Sequence, residues 1–248
     1  MKNNPVWRES IEVFFTEGHG FAAYFYLLII LAPVEFLSLY LPSLDAQMWS
    51  GSASLFRVSS VTAMLLTTYF SLRVANQEFA PWRFMPVRRW IHDHALSTAS
   101  IGRAQLAFLS LHAALSIGLC APLLMWAGAI ARTPLPRIGV TLLLLLFYAF
   151  SYGVWGLVTL VLWERRAESR QVFIRCFFFA LVFLSALVYL PLNPVAFLLA
   201  YLGRQALPPL QIAGARFPAT GVHFGFHLIL AAAGLTAHRW ALRKGIAL

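Results

Sequence analysis

Apolar residues fall into six long runs, at 21–42, 54–75, 104–130, 138–163, 172–190 and 221–240, separated by polar intervals. Each run is close to the ~20 residues that a helix needs to cross about 30 Å of hydrocarbon. The pattern therefore predicts six transmembrane helices. Ahead of the first run, Trp7, Ile11, Phe14 and Phe15 recur at helical spacing, and Arg8, Glu9, Glu12 and Thr16 occupy the opposite face. With Asn4 placed to cap and Pro5 at the first helical position, this spacing predicts an amphipathic helix over 4–17 in the headgroup plane. Gly18-His19-Gly20 ends it. Between the fifth and sixth runs the pattern is irregular. Within 191–220, Asn193-Pro194 opens an apolar stretch, 195–202, too short to span. It predicts a re-entrant half-helix on the extracytoplasmic side.

The most distinctive polar interval lies between the second and third runs, over 76–103. It carries Glu78 and four arginines (Arg83, Arg88, Arg89, Arg103) among Phe79, Pro81, Trp82, Phe84, Pro86 and Trp90. An arginine at the bilayer centre costs about 2.5–3.5 kcal/mol even on lenient insertion scales. The interval must lie in water or at the interface, where it presents a short basic and aromatic surface. That surface suits apolar anchoring and ion pairing with a soluble partner. It equally suits arginines that only fix topology by snorkelling to lipid phosphates.

Composition supports the membrane reading. Of 248 residues, 60% are hydrophobic and 11% charged, against roughly 25% charged in soluble domains. No linker marks off a soluble domain, so the chain reads as one all-α transmembrane domain, 1–248, whose first span is retained. The net charge of +10 is spread over the intervals rather than gathered into a nucleic-acid patch. With both termini in the cytoplasm, fourteen of the nineteen Lys and Arg fall on the cytoplasmic side. Arg57, Arg132, Arg137, Arg204 and Arg216 remain opposite. The positive-inside bias therefore predicts N-in, C-in topology. Cys120 and Cys176 both fall in apolar runs and read as inert buried thiols.

Ionisable residues at membrane depth are the remaining candidates for chemistry. Glu35 in the first span and Arg57 in the second are at similar distances from the loop joining them, which predicts an intramembrane ion pair. Contact of Glu35 with substrate, or a shallow, wet Glu35, are the alternatives. His223 and His227 stand at i, i+4, a spacing that can ligate a metal, but no third ligand is fixed nearby; packing or pore-lining roles fit better, and no metal is expected. His92 and His94 point different ways on a helix, and His112 reads as a satisfied buried histidine. The chain has no phosphate-binding loop, no G-x-S-x-G and no H-E-x-x-H. Only one carboxyl lies within a span, which argues against a proton-relay pump.

Several of these residues resemble a known layout. Asn4-Pro5-Val6-Trp7-Arg8-Glu9, then Glu78, Pro86-Val87-Arg88-Arg89 and Gly102-Arg103, then Leu192-Asn193-Pro194 are similar to positions in permease subunits of six-span ATP-binding-cassette (ABC) exporters with an amphipathic N-terminal helix. The resemblance covers nearly the whole chain. It differs in having Arg103 where lysine is commoner and in the aromatic content of the loop. It implies a membrane-spanning exporter subunit in a bacterial inner membrane, paired with a second copy or a related permease. A separate ATPase subunit would bind ATP and Mg, and this chain would hold no cofactor and do no catalysis. Residues 78–92 would hold the coupling helix, with Glu78, Trp82, Arg83, Pro86, Arg88, Arg89 and Trp90 at the ATPase contact. Spans 2 and 5 would line the path for a hydrophobic or amphipathic substrate. A stand-alone secondary carrier, an accessory membrane protein and a membrane-embedded enzyme are the alternatives.

Overall fold

The structure, a computed structural model, describes residues 3–40, 51–212 and 214–244. It is an all-α membrane fold with six helices long and apolar enough to cross a bilayer. Helix α1 (Pro5–Ile11) starts where Asn4 accepts from the backbone N–H groups of Val6 and Trp7, and a π-helical stretch, Glu12–Thr16, continues it. The six long elements are α2 (Phe21–Tyr40), α3 (Gly51–Ala75), α5 (Thr98–Ile130), α6 (Leu135–Leu162), α7 (Ala167–Phe179) with its continuation, and α10 (Ala219–Lys244). A six-residue helix, α4 (Val87–His92), lies between α3 and α5. After α7 the chain widens into a π-helical turn, Ala180–Leu184, and ends the span in α8 (Ser185–Val188). Helix α9 (Pro194–Gly203) follows, then a two-stranded antiparallel ribbon of β1 (Leu210–Ile212) and β2 (Ala215–Phe217) that the irregular pattern of 191–220 does not signal.

Helices α3 and α6 form the centre. The apolar window of α3 is 61% buried and that of the α7–α8 span only 11%. Small and hydroxylated residues let α3 come close: Ser59, Ser60, Thr67, Thr68 and Ser71 are all buried. The approach is tightest at Gly156, where a Cβ would lie 2.4 Å from the Leu72 carbonyl oxygen and 2.9 Å from the Ala75 methyl. Helices α2 and α5 flank α3, α10 lies along α6, and α9 adds Phe197, Leu198 and Leu202 to the main core. Ten residues make α9 about 15 Å long, too short to cross.

The N-terminal helix buries Val6, Ser10, Val13 and Phe14, leaving Trp7, Ile11 and Phe15 half-exposed. The Asn4 side-chain amide ties it to Ser100 at the start of α5. Two expectations need correction. Helix α5 begins at Thr98, capped by Ser97, so Gly102 and Arg103 are helical rather than part of the loop. Hydropathy marks the hydrocarbon-length stretch, whereas the cap marks where the helix starts. Cys176 is exposed on α7, unlike the buried Cys120.

The contact at Gly156 yields a clear expectation. Gly156→Ala should lower stability by about 1–3 kcal/mol, because backbone on α3 must yield. Gly139→Ala, where a Cβ meets nothing, should be neutral or better. Thermal unfolding of the purified protein in detergent checks both.

Candidate functional site

The polar interval folds into a braced turn. Gln77, at φ 55, ends the run of α3, and Pro86 starts α4 without a side chain able to cap it. The first N–H groups of a helix need acceptors. Here the Glu164 carboxylate, just past α6, accepts from the backbone N–H of Val87 and from that of Arg88 at 3.4 Å. Its other oxygen is 3.7 Å from Arg88 Nε. Upstream, Glu9 accepts from the Met85 N–H at 2.6 Å. Glu17 takes Arg83 in a fork, at 2.7 and 2.8 Å. Within the turn Glu78 pairs with Arg73 at 3.0 Å and lies 3.9 Å from Arg175.

Of the seven residues expected at a partner contact, Trp90 turns inward. It joins Val6, Val87, Ile101, Ala104 and Leu242 in a buried cluster that fastens α1, α4, α5 and α10 together. The Glu78 side chain is buried as well, while Arg83 and Arg88 have carboxylates of this same chain as partners. Trp82, 74% exposed, faces outward, as do Pro86 and Arg89, next to His92 and Asp93. Burial pushes the Glu9 carboxyl up to about 7, partly opposed by its bond from Met85. The forked bond to Glu17 raises Arg83 further above its ordinary range.

The expected Glu35–Arg57 ion pair does not form. Glu35 is buried between helices against Ser59 and near Cys120, and among the described residues no Lys or Arg pairs with it. Arg57 is exposed and near Gly203. The reason is azimuth: Ser59 and Arg57, two residues apart, lie on nearly opposite sides of α3. Similar depth did not make them neighbours.

His223 and His227 are fully buried between α10 and α6. His223 Nδ1 faces the Pro191 carbonyl oxygen at 2.7 Å, and His227 Nδ1 faces the His223 carbonyl at 2.9 Å. A carbonyl can only accept, so each Nδ1 carries the proton and each Nε2 is left an acceptor. Tyr148 donates to His223 Nε2 at 2.6 Å and Tyr152 to His227 Nε2 at 2.9 Å. Both Nε2 lone pairs are thus taken by tyrosine hydroxyls in this arrangement. Phe197 stacks on His223 with ring centroids 3.7 Å apart. His112 is buried against Tyr24 and Ser116. His92 and His94 are both exposed at the end of α4.

Glu9, Glu17 and Glu164, which brace the turn, and Tyr148 and Tyr152, which satisfy the histidines, are positions that the sequence pattern does not single out. A signal existed for the first group. Acidic residues number only nine in the chain, and four of them (Glu9, Glu17, Glu78, Glu164) hold this one turn. Comparison with protein-family models, with curated proteins and with solved structures finds no match in any of the three.

Two outcomes follow from this geometry. Tyr148→Phe leaves the buried His223 Nε2 unpaired and should cost about 1–3 kcal/mol, whereas Tyr26→Phe, at a half-exposed position, should cost little; parallel thermal melts decide. The second concerns Glu9. The folded chain holds its proton more tightly than the unfolded chain, so stability should rise as pH falls from about 7 toward 4.5 and level off below. Glu9→Gln should flatten that slope in melts run across the window.

Proposed function

We propose that the chain is the membrane-spanning subunit of an ABC-type exporter, driven by a separate ATPase that grips the turn around α4. The observation that carries this reading is the bare outer face of the turn. Trp82, Pro86 and Arg89 stand outward on a segment held from behind by Glu9, Glu17 and Glu164. An exposed tryptophan, together with an exposed arginine that has no ion pair among the described residues, is the composition of a binding hot spot, and the brace transmits a push on α4 to α1 and α6 rather than absorbing it. In this reading Arg83 and Arg88 serve the brace, and Trp82, Pro86 and Arg89 serve the partner.

The same reading lays α1 along the cytoplasmic headgroups with Trp7, Ile11 and Phe15 toward lipid, and makes α9 a re-entrant element on the far side. Both termini, the turn and the 163–166 connection then face the cytoplasm, where most of the arginines are. A second permease copy would meet the sparsely covered α7–α8 span; α3, the other span expected beside the path, is largely enclosed within its own protomer. ATP-driven closure of the ATPase dimer would shift the balance between two packings of these helices and move an apolar or amphipathic substrate.

A second reading, a stand-alone carrier, draws on Glu35, a buried carboxyl that has no basic partner among the described residues. Co-purification separates the two. Trp82→Ala with Arg89→Glu should release a nucleotide-hydrolysing partner while membrane insertion and melting temperature stay unchanged. Finding no such partner bound to the wild-type chain, or finding it still bound to the double variant, rejects coupling at this surface.

A further inference from the structure

The first turns of α5 and the last turns of α10 enclose a groove of about 490 Å³ at the same end of the bundle as the braced turn. Arg103 stands on one wall, with Arg239 and Arg243 on the other. All three are exposed, and among the described residues none forms an ion pair with an Asp or Glu. Gly102 forms part of the lining; a Cβ there would come within 3.1 Å of Leu242 and 3.8 Å of the His238 ring. His238, fully buried, completes the wall. Its Nε2 lies 2.8 Å from the Gln105 side-chain oxygen, which can only accept, so Nε2 carries the proton and Nδ1 is an acceptor. That Nδ1 has no partner among the described residues.

We propose that this groove binds an anionic phospholipid headgroup, such as that of phosphatidylglycerol. Guanidinium groups match phosphate oxygens in forked geometry, and here three of them converge on one groove from two helices. The surroundings favour a lipid over free phosphate as the source. Only 22% of the apolar window of α10 is buried, so its outer face offers acyl chains a continuous surface. Leu106 lines the groove on α5. Trp240 is half-exposed with Lys244 5.0 Å over its ring, the arrangement of an interfacial anchor.

Native mass spectrometry of the full chain released from mild detergent, supplied with equal phosphatidylglycerol and phosphatidylcholine, tests this. Wild type should retain phosphatidylglycerol preferentially. Arg103→Gln, Arg239→Gln and Arg243→Gln together should weaken retention roughly a hundredfold, from about fivefold per basic side chain. Arg239→Gln with Arg243→Gln alone should fall between. Because these side chains are exposed, the melting temperature should hold. Arg132→Gln with Arg137→Gln, at the opposite end, should retain the lipid as wild type does. Equal retention of the two lipids by wild type, or undiminished retention by the triple variant, overturns the site. Displacement of the lipid by millimolar inorganic phosphate overturns the lipid as its occupant.

Discussion

The close passage of α6 across α3 is the contact on which the other arrangements hang. Gly156 lets the two backbones meet, and three other sets of residues on α6 are positioned as a result. Tyr148 and Tyr152 reach α10, Trp155 donates to the Leu230 carbonyl at 3.2 Å, and Thr159 meets Asn76 at the end of α3 at 3.2 Å. Just past the end of the same helix stands Glu164, which holds the start of α4. A single helix therefore connects the buried polar groups of the bundle with the turn at its basic end. Without a close α3–α6 seam none of these partners would be in reach.

The turn illustrates how a strongly basic chain disposes of its few negative charges. Scattered through the loops, nine carboxyls against nineteen Lys and Arg would add little, since exposed ion pairs contribute at most about 1 kcal/mol each. Four of them, Glu9, Glu17, Glu78 and Glu164, instead converge on the turn and accept from backbone N–H groups as well as side chains, which gives the segment one geometry. Rigidity of this kind is what a docking surface requires, because a partner then meets side chains already in place.

Much of this architecture is legible in the chain. The six apolar runs mark the six long helices, since the cost of an unsatisfied or charged group in hydrocarbon leaves little freedom. The Asn4-Pro5 and Asn193-Pro194 pairs mark helix starts by local capping chemistry. What the sequence conceals is pairing across long separations. Glu17 and Arg83 are 66 residues apart, and Tyr148 and His223 are 75 apart. Periodicity reports which face of a helix is apolar, not which neighbour that face meets. Glu35 and Arg57 show the same limit within one hairpin, where depth could be estimated but rotation about the helix axis could not.

The tyrosine–histidine contacts between α6 and α10 have a mechanical corollary. Both partners repeat every four residues on helices that run in the same direction, so the ladder has two rungs of equal pitch. A slide of α10 by four residues, about 6 Å, would bring His227 opposite Tyr148 or His223 opposite Tyr152 and close one rung again. A displacement of about half that distance would part both imidazoles from their tyrosine donors. The two rungs thus favour registers one four-residue step apart over the positions between them, like the notches of a ratchet.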